Sequence, residues 1–365
     1  MGNTVELLNI DCLGKPLRLE GSLAGWQQLF WNNTLVAEKA ASADREGASA
    51  LQFTLNDPMS GEQHIRLETH LQWQPFVLDY RLLIDQTVVA KGTRNTQDIE
   101  RQSPVVPHQK INKLSLLGLG VLALKLFKSA KLIKVALAGA SVAAYSWLFS
   151  FQFALALLAC LVFHEYGHIR AMKYFGMKTK GIYLIPFLGG LALSDEKINT
   201  RWQDVVISIM GPSFGLLLSL ASCVAYWLTG NVFFAGLATF NALLNLFNLL
   251  PILPLDGGHI LKSISFSMNS VLGLIACIVA ALLGVWVSYH FGLALLGFLL
   301  FIGSLEIVFE WRARHQSHLL PLDRYGQIFS LVWYLLTVAA LIGIIWYFAG
   351  LGDDMLRVPL KILQN

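Results

Sequence analysis

The sequence predicts an α-helical polytopic membrane protein that carries a small β-rich soluble domain at its N-terminus. Of the 365 residues, 55% are hydrophobic and only 14% are charged, and the mean hydropathy is +0.56. This composition is too apolar for a soluble protein of this length. Residues 1–105 have an ordinary soluble composition, whereas long apolar runs alternate with short polar breaks from Ile111 onward. We therefore expect about six to seven transmembrane helices after the soluble domain.

Residues 1–105 alternate apolar and polar side chains in the way that is typical of short, half-buried strands. Two segments resemble each other, because LFWNNTLVAEK (Leu29–Lys39) and LLIDQTVVAKG (Leu82–Gly92) both place a polar pair between an apolar strand and a β-branched strand. The region contains no cluster of reactive side chains. We expect a β-rich domain, arranged as a sandwich with weak internal duplication, that packs or binds a protein partner rather than catalysing a reaction.

Residues 106–134 form the predicted connection between this domain and the membrane. Prolines interrupt the segment RQSPVVPHQK, residues 101–110. The following segment, INKLSLLGLGVLALKLFKSAKLIK, contains five lysines among its apolar residues. Lysines at this frequency are more typical of a helix that lies in the membrane interface than of one that spans the bilayer. We expect a linker followed by an interfacial helix.

The remaining apolar runs approach the length of about 20 residues that a membrane-spanning helix needs. They predict seven spans, which are Val135–Ser150, Phe151–Tyr174, Val205–Leu228, Val232–Leu250, Val271–Phe291, Leu293–Phe309 and Ile328–Phe348. On this basis residues 135–310 form the transmembrane core. Residues 311–365 add a cytoplasmic loop, a further transmembrane helix and a C-terminal tail.

Basic residues predict the orientation of these spans. Lysine and arginine cluster in residues 110–134, in residues 170–180, and at Arg312, Arg314 and Arg324. The positive-inside rule then places the N-terminal domain in the cytoplasm, so that the second span runs inward and, with seven spans, the C-terminal tail lies outside. The overall charge of +4 is mild and points to membrane topology rather than to nucleic-acid binding.

A motif that could bind a metal ion lies towards the inner end of the second span, in LLACLVFHEYGHIRAMKYFG. His164 and His168 are four residues apart, so on an α-helix both imidazoles face the same way and can bind one ion. Glu165 lies beside them and can reach a metal-bound water. The pattern HExxH is the zinc-binding core of many metalloproteases. The alternative is a pair of interfacial histidines at the end of a helix.

The segment NALLNLFNLLPILPLDGGHIL supplies a candidate third ligand, Asp256. A hydrolytic zinc ion usually has three protein ligands and one open position for water. Pro251 and Pro254 interrupt a regular helix just before Asp256, and irregular backbone is tolerated at membrane depth only inside protein or beside a wet cavity. Gly257 and Gly258 could then let the chain turn sharply. The alternative is an ordinary Asp-Gly loop at the membrane interface.

Together, HEYGH in a predicted transmembrane helix and the later NLLPILPLDGG resemble the site-2 protease family of intramembrane zinc metalloproteases, in its bacterial branch. The intervening IPFLGGLALS (Ile185–Ser194) and IMGPSFG (Ile209–Gly215) match in position and kind, so the resemblance covers roughly residues 111–310. It implies one Zn²⁺ per chain. It also implies the roles of five residues, with His164, His168 and Asp256 as zinc ligands, Glu165 as the catalytic base and Asn248 as an asparagine near the active centre.

This sequence departs from the family pattern at Gly215, where many relatives have Asn in a GPxxN pattern. The family also has a β hairpin that aligns with IPFLGGLALS. Gly189 and Gly190 permit a turn there, and the flanks are typical of short strands. A strand edge beside the metal could pair with a substrate segment that has been unwound. The alternative is a plain loop between spans.

Other polar residues near these motifs have two interpretations each. Asn241, Asn245 and Asn248 form a polar stripe on one face of an apolar helix, and the stripe could line an active-site cavity or bind a neighbouring helix. His259 could hydrogen-bond a zinc ligand, or it could be an interfacial residue.

The expected function is that of an intramembrane zinc metalloprotease, which hydrolyses peptide bonds in or near the transmembrane segments of substrate proteins. Zinc would activate a water molecule, and Glu165 would act as general base. The alternative is a zinc-binding membrane protein without proteolytic activity, such as a transporter, sensor or regulatory scaffold. Glu165 favours the protease because it is useful for proton transfer. We expect the lipid bilayer and transmembrane proteins as partners, and the bacterial inner membrane as the location, with the active site towards the cytoplasm.

Overall fold

The computed structural model describes residues 5–22, 25–40, 46–57, 61–102, 130–148, 150–185, 189–194, 198–268, 270–290, 303 and 319–351. These residues form a β-rich N-terminal region, followed by α-helices and one short β hairpin. The predicted interfacial segment up to residue 129 lies outside the described residues. The predicted span Leu293–Phe309 does too, apart from Gly303.

The N-terminal region contains two four-stranded antiparallel sheets, and in each sheet the strand order follows the chain. The first sheet contains β1 (Val5–Cys12), β2 (Lys15–Gly21), β3 (Gln27–Trp31) and β4 (Thr34–Lys39). The second contains β5 (Gly47–Asp57), β6 (Gly61–Trp73), β7 (Phe76–Ile84) and β8 (Thr87–Asn95).

The two segments that resemble each other in sequence form the last hairpin of each sheet. Asn32-Asn33 joins β3 to β4, and Asp85-Gln86 joins β7 to β8. All four turn residues have positive φ, between 47° and 66°. Positive φ at both central residues matches the twist of the flanking strands in a two-residue hairpin, and Asn and Asp tolerate that conformation best after glycine. The repeated polar pair therefore sets the register of both hairpins.

One hydrophobic core joins the two sheets. Apolar side chains from both sheets are buried together, and they include Leu7, Leu19, Leu29, Leu67 and Leu78. Leu320 belongs to the same core, although it lies far along the chain, just before the last helix. The β-rich region is therefore attached to the helical part of the protein by side-chain packing.

A short helix, α1 (Thr96–Arg101), also attaches the sheets to the helices. Its N-terminus is capped by Asn95. At its other end the Asn199 side chain donates to the carbonyls of Ile99 (3.1 Å) and Gln102 (2.8 Å). The Gln203 amide donates to the carbonyl of Glu100 (2.9 Å). The last carbonyls of a helix have no partner within the helix, so these side chains satisfy them.

The helical part contains α-helices in the described portions of the predicted spans. Its helices are α2 (Ala130–Leu148), α3 (Phe151–Tyr174), α4 (Arg201–Thr229), α5 (Val232–Asn248), α6 (Asp256–Met268), α7 (Ser270–His290) and α8 (Arg324–Ala349). Among the described residues, α3, α4 and α8 are each long and apolar enough to cross a membrane, and α2, α5 and α7 contain shorter apolar stretches. The protein is therefore an integral membrane protein with a β-rich N-terminal region.

A short antiparallel hairpin packs against this bundle. It consists of β9 (Thr179–Ile185) and β10 (Gly189–Ser194), as the sequence predicted. Lys134 of α2 donates to the carbonyl of Lys180 and lies over the ring of Tyr183, so α2 holds β9. Gly190 does not form the turn expected from the sequence. It lies within β10, opposite Leu184.

Candidate metal centre

Two histidines and a glutamate lie together on α3 and are buried inside the bundle. His164 and His168 are separated by about one helical turn, which places both imidazoles on one face. Both residues and Glu165 are buried. The Nε2 atoms of the two rings lie 3.1 Å apart. His164 lies about ten residues, or roughly 15 Å, before the end of α3, so the pair is deeper in the helix than the inner end expected from the sequence.

A break in the chain brings Asp256 to these histidines. After α5 ends, residues 249–255 are irregular around Pro251 and Pro254, and α6 then begins at Asp256. The hydroxyl of Tyr334 on α8 donates to the first carbonyl of the break, at 2.6 Å. The last helix therefore supports the segment that presents Asp256.

Gly257 and Gly258 do not form the sharp turn that we expected. Both lie in the first turn of α6, and neither has a positive φ. A Cβ atom on Gly257 would lie 2.1 Å from the carbonyl oxygen of Leu249, and one on Gly258 would lie 2.4 Å from the carbonyl carbon of Ile252. The two glycines therefore let α6 pack directly against the irregular segment before it.

The carboxylate of Asp256 and the two imidazoles form a group that fits one metal ion. The Oδ2 atom of Asp256 lies 3.3 Å from Nε2 of His164 and 3.6 Å from Nε2 of His168. Ligands at 2.0–2.1 Å from a tetrahedral zinc ion lie about 3.3–3.4 Å from one another. The three observed separations are close to that value, and two imidazoles with one carboxylate are a known ligand set for hydrolytic zinc.

The other nitrogen of each imidazole has an acceptor. His168 Nδ1 lies 2.7 Å from the carbonyl oxygen of Ile207, and His164 Nδ1 lies 2.7 Å from Oδ1 of Asn245. A carbonyl can only accept, so Nδ1 of His168 carries the hydrogen and its Nε2 keeps a lone pair. Partners of this kind orient metal-binding histidines. The sequence placed Asn245 in a polar stripe, but it did not predict the contact with His164.

Close approach of α3 and α4 makes room for the imidazoles. A Cβ on Gly167 would lie 2.3 Å from the carbonyl oxygen of Met210, so these helices cross in near contact. A Cβ on Gly211 would lie 2.3 Å from Nε2 of His168 and 2.9 Å from Nε2 of His164. Small residues allow such crossings in membrane helices. Gly211 is therefore part of the wall of the metal centre, a role that its motif IMGPSFG did not reveal.

The β hairpin lies against Glu165. A Cβ on Gly190 of β10 would lie 2.3 Å from Cγ of Glu165 and 2.7 Å from its carboxylate oxygen Oε1. The glycine in β10 is therefore needed for the strand to pass beside this side chain. The sequence predicted a hairpin and a glutamate, but it did not predict their contact.

Two other polar residues singled out in the sequence lie nearby. The amide nitrogen of Asn248 donates to the carbonyl of Leu244 in its own helix, at 3.2 Å. His259 Nδ1 lies 3.5 Å from the Oδ1 atom of Asp204, and the hydroxyl of Ser263 donates to the Oδ2 atom of the same carboxylate, at 2.5 Å. His259 thus contributes to a polar contact between α6 and α4.

Comparison with known proteins shows which family and which relatives this site resembles. Residues 152–231 and 229–283 match the model of Peptidase family M50. Stage IV sporulation protein FB of Bacillus subtilis is 30% identical over 188 residues, which are 47% of this chain and 63% of the relative. A Synechocystis protein provisionally named zinc metalloprotease sll0528 is 38% identical over 128 residues, 34% of each chain.

A zinc metalloprotease of Methanocaldococcus jannaschii is 31% identical over 113 residues, 30% of this chain and 32% of the relative. The chain thus spans between about a third and just under two thirds of the length of these curated relatives. The matched region contains the HEYGH helix and Asp256. Residues 152–283 are therefore similar to Peptidase family M50, the site-2 protease family, and two of the relatives of this region are named as zinc metalloproteases.

Proposed function

We propose that this protein is an intramembrane zinc endopeptidase, which cuts other membrane proteins in or near their transmembrane segments. The observation that carries the proposal is the convergence of His164, His168 and Asp256 within bonding distance of one ion, with Glu165 beside them on α3. The family match supports hydrolysis as the use of this ion.

The proposed mechanism assigns each side chain a separate task. His164, His168 and Asp256 would hold the zinc ion, which would supply Lewis-acid activation of a water molecule. Glu165 takes the proton from that water as general base and later delivers it to the amine that leaves from the cleaved bond. The carboxylate returns to its starting state, so the protons balance over one cycle.

Asn248 is our candidate for stabilising the oxyanion that forms during the reaction. A side-chain amide can donate a hydrogen bond to such an oxyanion. The amide nitrogen of Asn248 donates to the carbonyl of Leu244. Asn248 would have to rotate away from this acceptor when substrate binds.

The hairpin offers a place for the substrate backbone. Among the strands in the described ranges, β10 pairs only with β9, so its other edge is open for a further strand. The missing side chain of Gly190 brings a face of β10 against Glu165. Peptide bonds in a helix are shielded, and an unwound segment could add to β10 by main-chain hydrogen bonds. This arrangement would present an extended peptide to the general base.

We further propose the membrane arrangement predicted from the sequence, with six to seven spans between residues 135 and 348 and the β-rich domain, residues 1–105, in the cytoplasm. Contacts at one end of the bundle support it, because α1 binds Asn199 and Gln203 where α4 begins, and Leu320 joins the β core just before α8. The basic residues near the end of α3 lie at this side too. In a bacterium the site would open towards the cytoplasm from the inner membrane.

The replacement Glu165→Gln tests the proposed reaction. The purified variant should keep its zinc, because Glu165 is not a ligand, and should lose at least about a hundredfold of its cleavage rate. In cells, comparison of membrane proteomes should reveal single-span proteins that accumulate uncleaved with the variant. Glu62→Gln, an exposed change on β6, is the matched control. Undiminished cleavage by Glu165→Gln would refute the mechanism, and identical proteomes would favour a zinc-binding protein without proteolytic activity.

A further inference from the structure

A chain of buried amides links His164 to α4, and none of its members touches the metal position directly. His164 Nδ1 lies 2.7 Å from Asn245 Oδ1. Asn245 in turn contacts Asn241, and Asn241 contacts Gly215 and Ser219 on α4. The side chains of Asn241, Asn245 and Ser219 are fully shielded from solvent. Water cannot replace any of these partners, so their hydrogen-bond directions are determined by the protein.

The orientation of the Asn245 amide follows from the two acceptors to which its NH₂ group donates. Its Nδ2 atom donates to the backbone carbonyl of Asn241 (2.7 Å) and to Asn241 Oδ1 (3.0 Å). A backbone carbonyl only accepts, so the NH₂ group must face Asn241. The oxygen of the Asn245 amide must then face His164.

The orientation of Asn241 is determined in the same way. Its Nδ2 atom donates to the carbonyl of Gly215 (2.7 Å) and to Oγ of Ser219 (2.8 Å). Both hydrogens of the Asn241 amide are therefore donated to acceptors on α4. The Oδ1 atom of Asn241 is left to accept from Asn245. The series of hydrogen bonds ends at the backbone carbonyl of Gly215 on α4. A carbonyl can only accept, so the direction of the whole series is determined.

We propose that Asn245 is the positioning residue of the metal centre, which forces His164 to carry its hydrogen on Nδ1 and so to present the lone pair of Nε2 to the metal. Histidines that bind a metal through one nitrogen are held and tuned by the acceptor at the other. For His168 a backbone carbonyl does this work. Among the described residues, the acceptor at Nδ1 of His164 is the Asn245 side chain. A mutation of Asn245 can therefore remove this acceptor.

Gly215 makes this arrangement possible. A Cβ at position 215 would lie 2.0 Å from Asn245 Oδ1 and 2.1 Å from its Cγ and Nδ2. Any side chain at position 215 therefore competes with the Asn245 amide for the same space. We infer that the glycine and Asn245 are a matched pair, in which α5 supplies the amide that α4 lacks.

Zinc affinity, measured by competition with a chelator in the Glu165→Gln background, tests the inference. Asn245→Leu keeps the volume but removes the acceptor, so zinc should bind about 10–100-fold more weakly. Asn245→Asp keeps the acceptor towards His164 but loses both donations to Asn241, so it should bind zinc more tightly than Asn245→Leu and no more tightly than the parent. Thr239→Val is the control, because the Thr239 hydroxyl is buried on the same helix and donates only to the carbonyl of Ala235. It should leave zinc affinity unchanged.

A reciprocal exchange separates positioning from simple packing. Gly215→Asn alone should weaken zinc binding because of the clash with Asn245, and Asn245→Gly alone should weaken it because the acceptor is lost. The double variant Gly215→Asn/Asn245→Gly should recover affinity to within a few-fold of the parent. Parental affinity in Asn245→Leu, or a double variant as weak as Asn245→Gly, would overturn the inference. The inference rests on the proposed zinc site, but its readout is binding, so a protein that binds zinc and cuts nothing would refute the proposed function alone.

Discussion

The Oδ2 atom of Asp256 lies 3.3 Å from the Nε2 atom of His164, although the two residues come from helices that begin at distant points of the chain. An ion pair between a protonated His164 and Asp256 would explain this distance alone. In that ion pair the single Nε2 hydrogen of His164 would be used on Asp256, with no separate hydrogen for Nε2 of His168, which lies 3.1 Å away. The Nδ1 hydrogen of His168 leaves a lone pair on its Nε2, so several electron-pair donors meet at one point. A shared cation accounts for all three contacts.

The contact between Gly190 and Glu165 predicts a sensitive position in the hairpin. In Gly190→Ala, the new Cβ would lie 2.3 Å from Cγ of Glu165, so either the strand or the carboxylate must move. A displacement of about 1 Å at a catalytic group can cost about a hundredfold in rate. We expect cleavage of a membrane substrate to fall by about 10–100-fold while the zinc content of the purified protein stays the same.

Gly139→Ala is the control for this change, because among the described residues no atom outside the adjoining backbone of α2 lies within 4 Å of the Cβ that it would add. It should cleave like the parent. Full activity in Gly190→Ala would mean that Glu165 and β10 are not in catalytic contact, and loss of zinc would mean that the hairpin supports the metal ligands instead.

Burial of Glu100 between α1 and α4 predicts that the attachment of the β-rich domain depends on pH. Burial raises the pKa of Glu100 to about 7, while a hydrogen bond from Thr200 and the charge of Arg101 act in the opposite direction. The folded state therefore binds the proton more tightly than the unfolded chain does. The resulting stability is fully present below the ordinary pKa of a glutamate, about 4.5, and is lost as the pH rises through about 7.

The unfolding temperature of the β-rich domain measures this effect. Between pH 5 and pH 8 it should fall in the parent and fall less in Glu100→Gln, which stays neutral throughout. Glu62→Gln, exposed on β6, should behave like the parent. Equal losses in the parent and in Glu100→Gln would assign the pH dependence to another group.

The packing of Leu320 attaches the β-rich domain to the helical part of the protein, and a mutation can test this attachment. Its side chain is buried in the core that joins the two N-terminal sheets, although its backbone precedes α8. Leu320→Ala should destabilise the β-rich domain by about 2–5 kcal/mol, as other large-to-small changes in cores do. Faster proteolysis of residues 96–102 would report the loss, and zinc content should not change. Leu331→Ala, exposed on α8, is the control. Equal protease resistance would place the attachment in the hydrogen bonds of α1 alone.

The apolar helices and the approach of His164, His168 and Asp256 to one another could be predicted from the sequence because local patterns encode them. Runs of apolar residues determine where helices form, and the spacing of His164 and His168 follows the helical repeat. Pro251 and Pro254 marked the break before Asp256. These signals depend only on neighbours in the chain.

Other features depended on contacts between distant segments and could not be predicted. Gly190 was expected in a turn, but it lies in a strand. Glu165 occupies the space that a side chain at this position would need. Gly257 was expected to let the chain turn, but it lies in α6, where its missing side chain lets two segments pack. The acceptor for His164 comes from Asn245, and its polar neighbours in the sequence gave no means of choosing it. In each case the role of the residue depends on a contact with a segment that is distant in the chain.

The zinc content of purified protein tests the central claim most directly. Glu62→Ala, at an exposed position of β6, serves as a control for the removal of a carboxylate. The parent and this control should each carry about one zinc ion per chain, and Asp256→Ala should retain less than about a tenth of that after dialysis against a mild chelator. Equal zinc content in the parent and in Asp256→Ala would contradict the account, because the ion would then not depend on the convergence of α3 and α6.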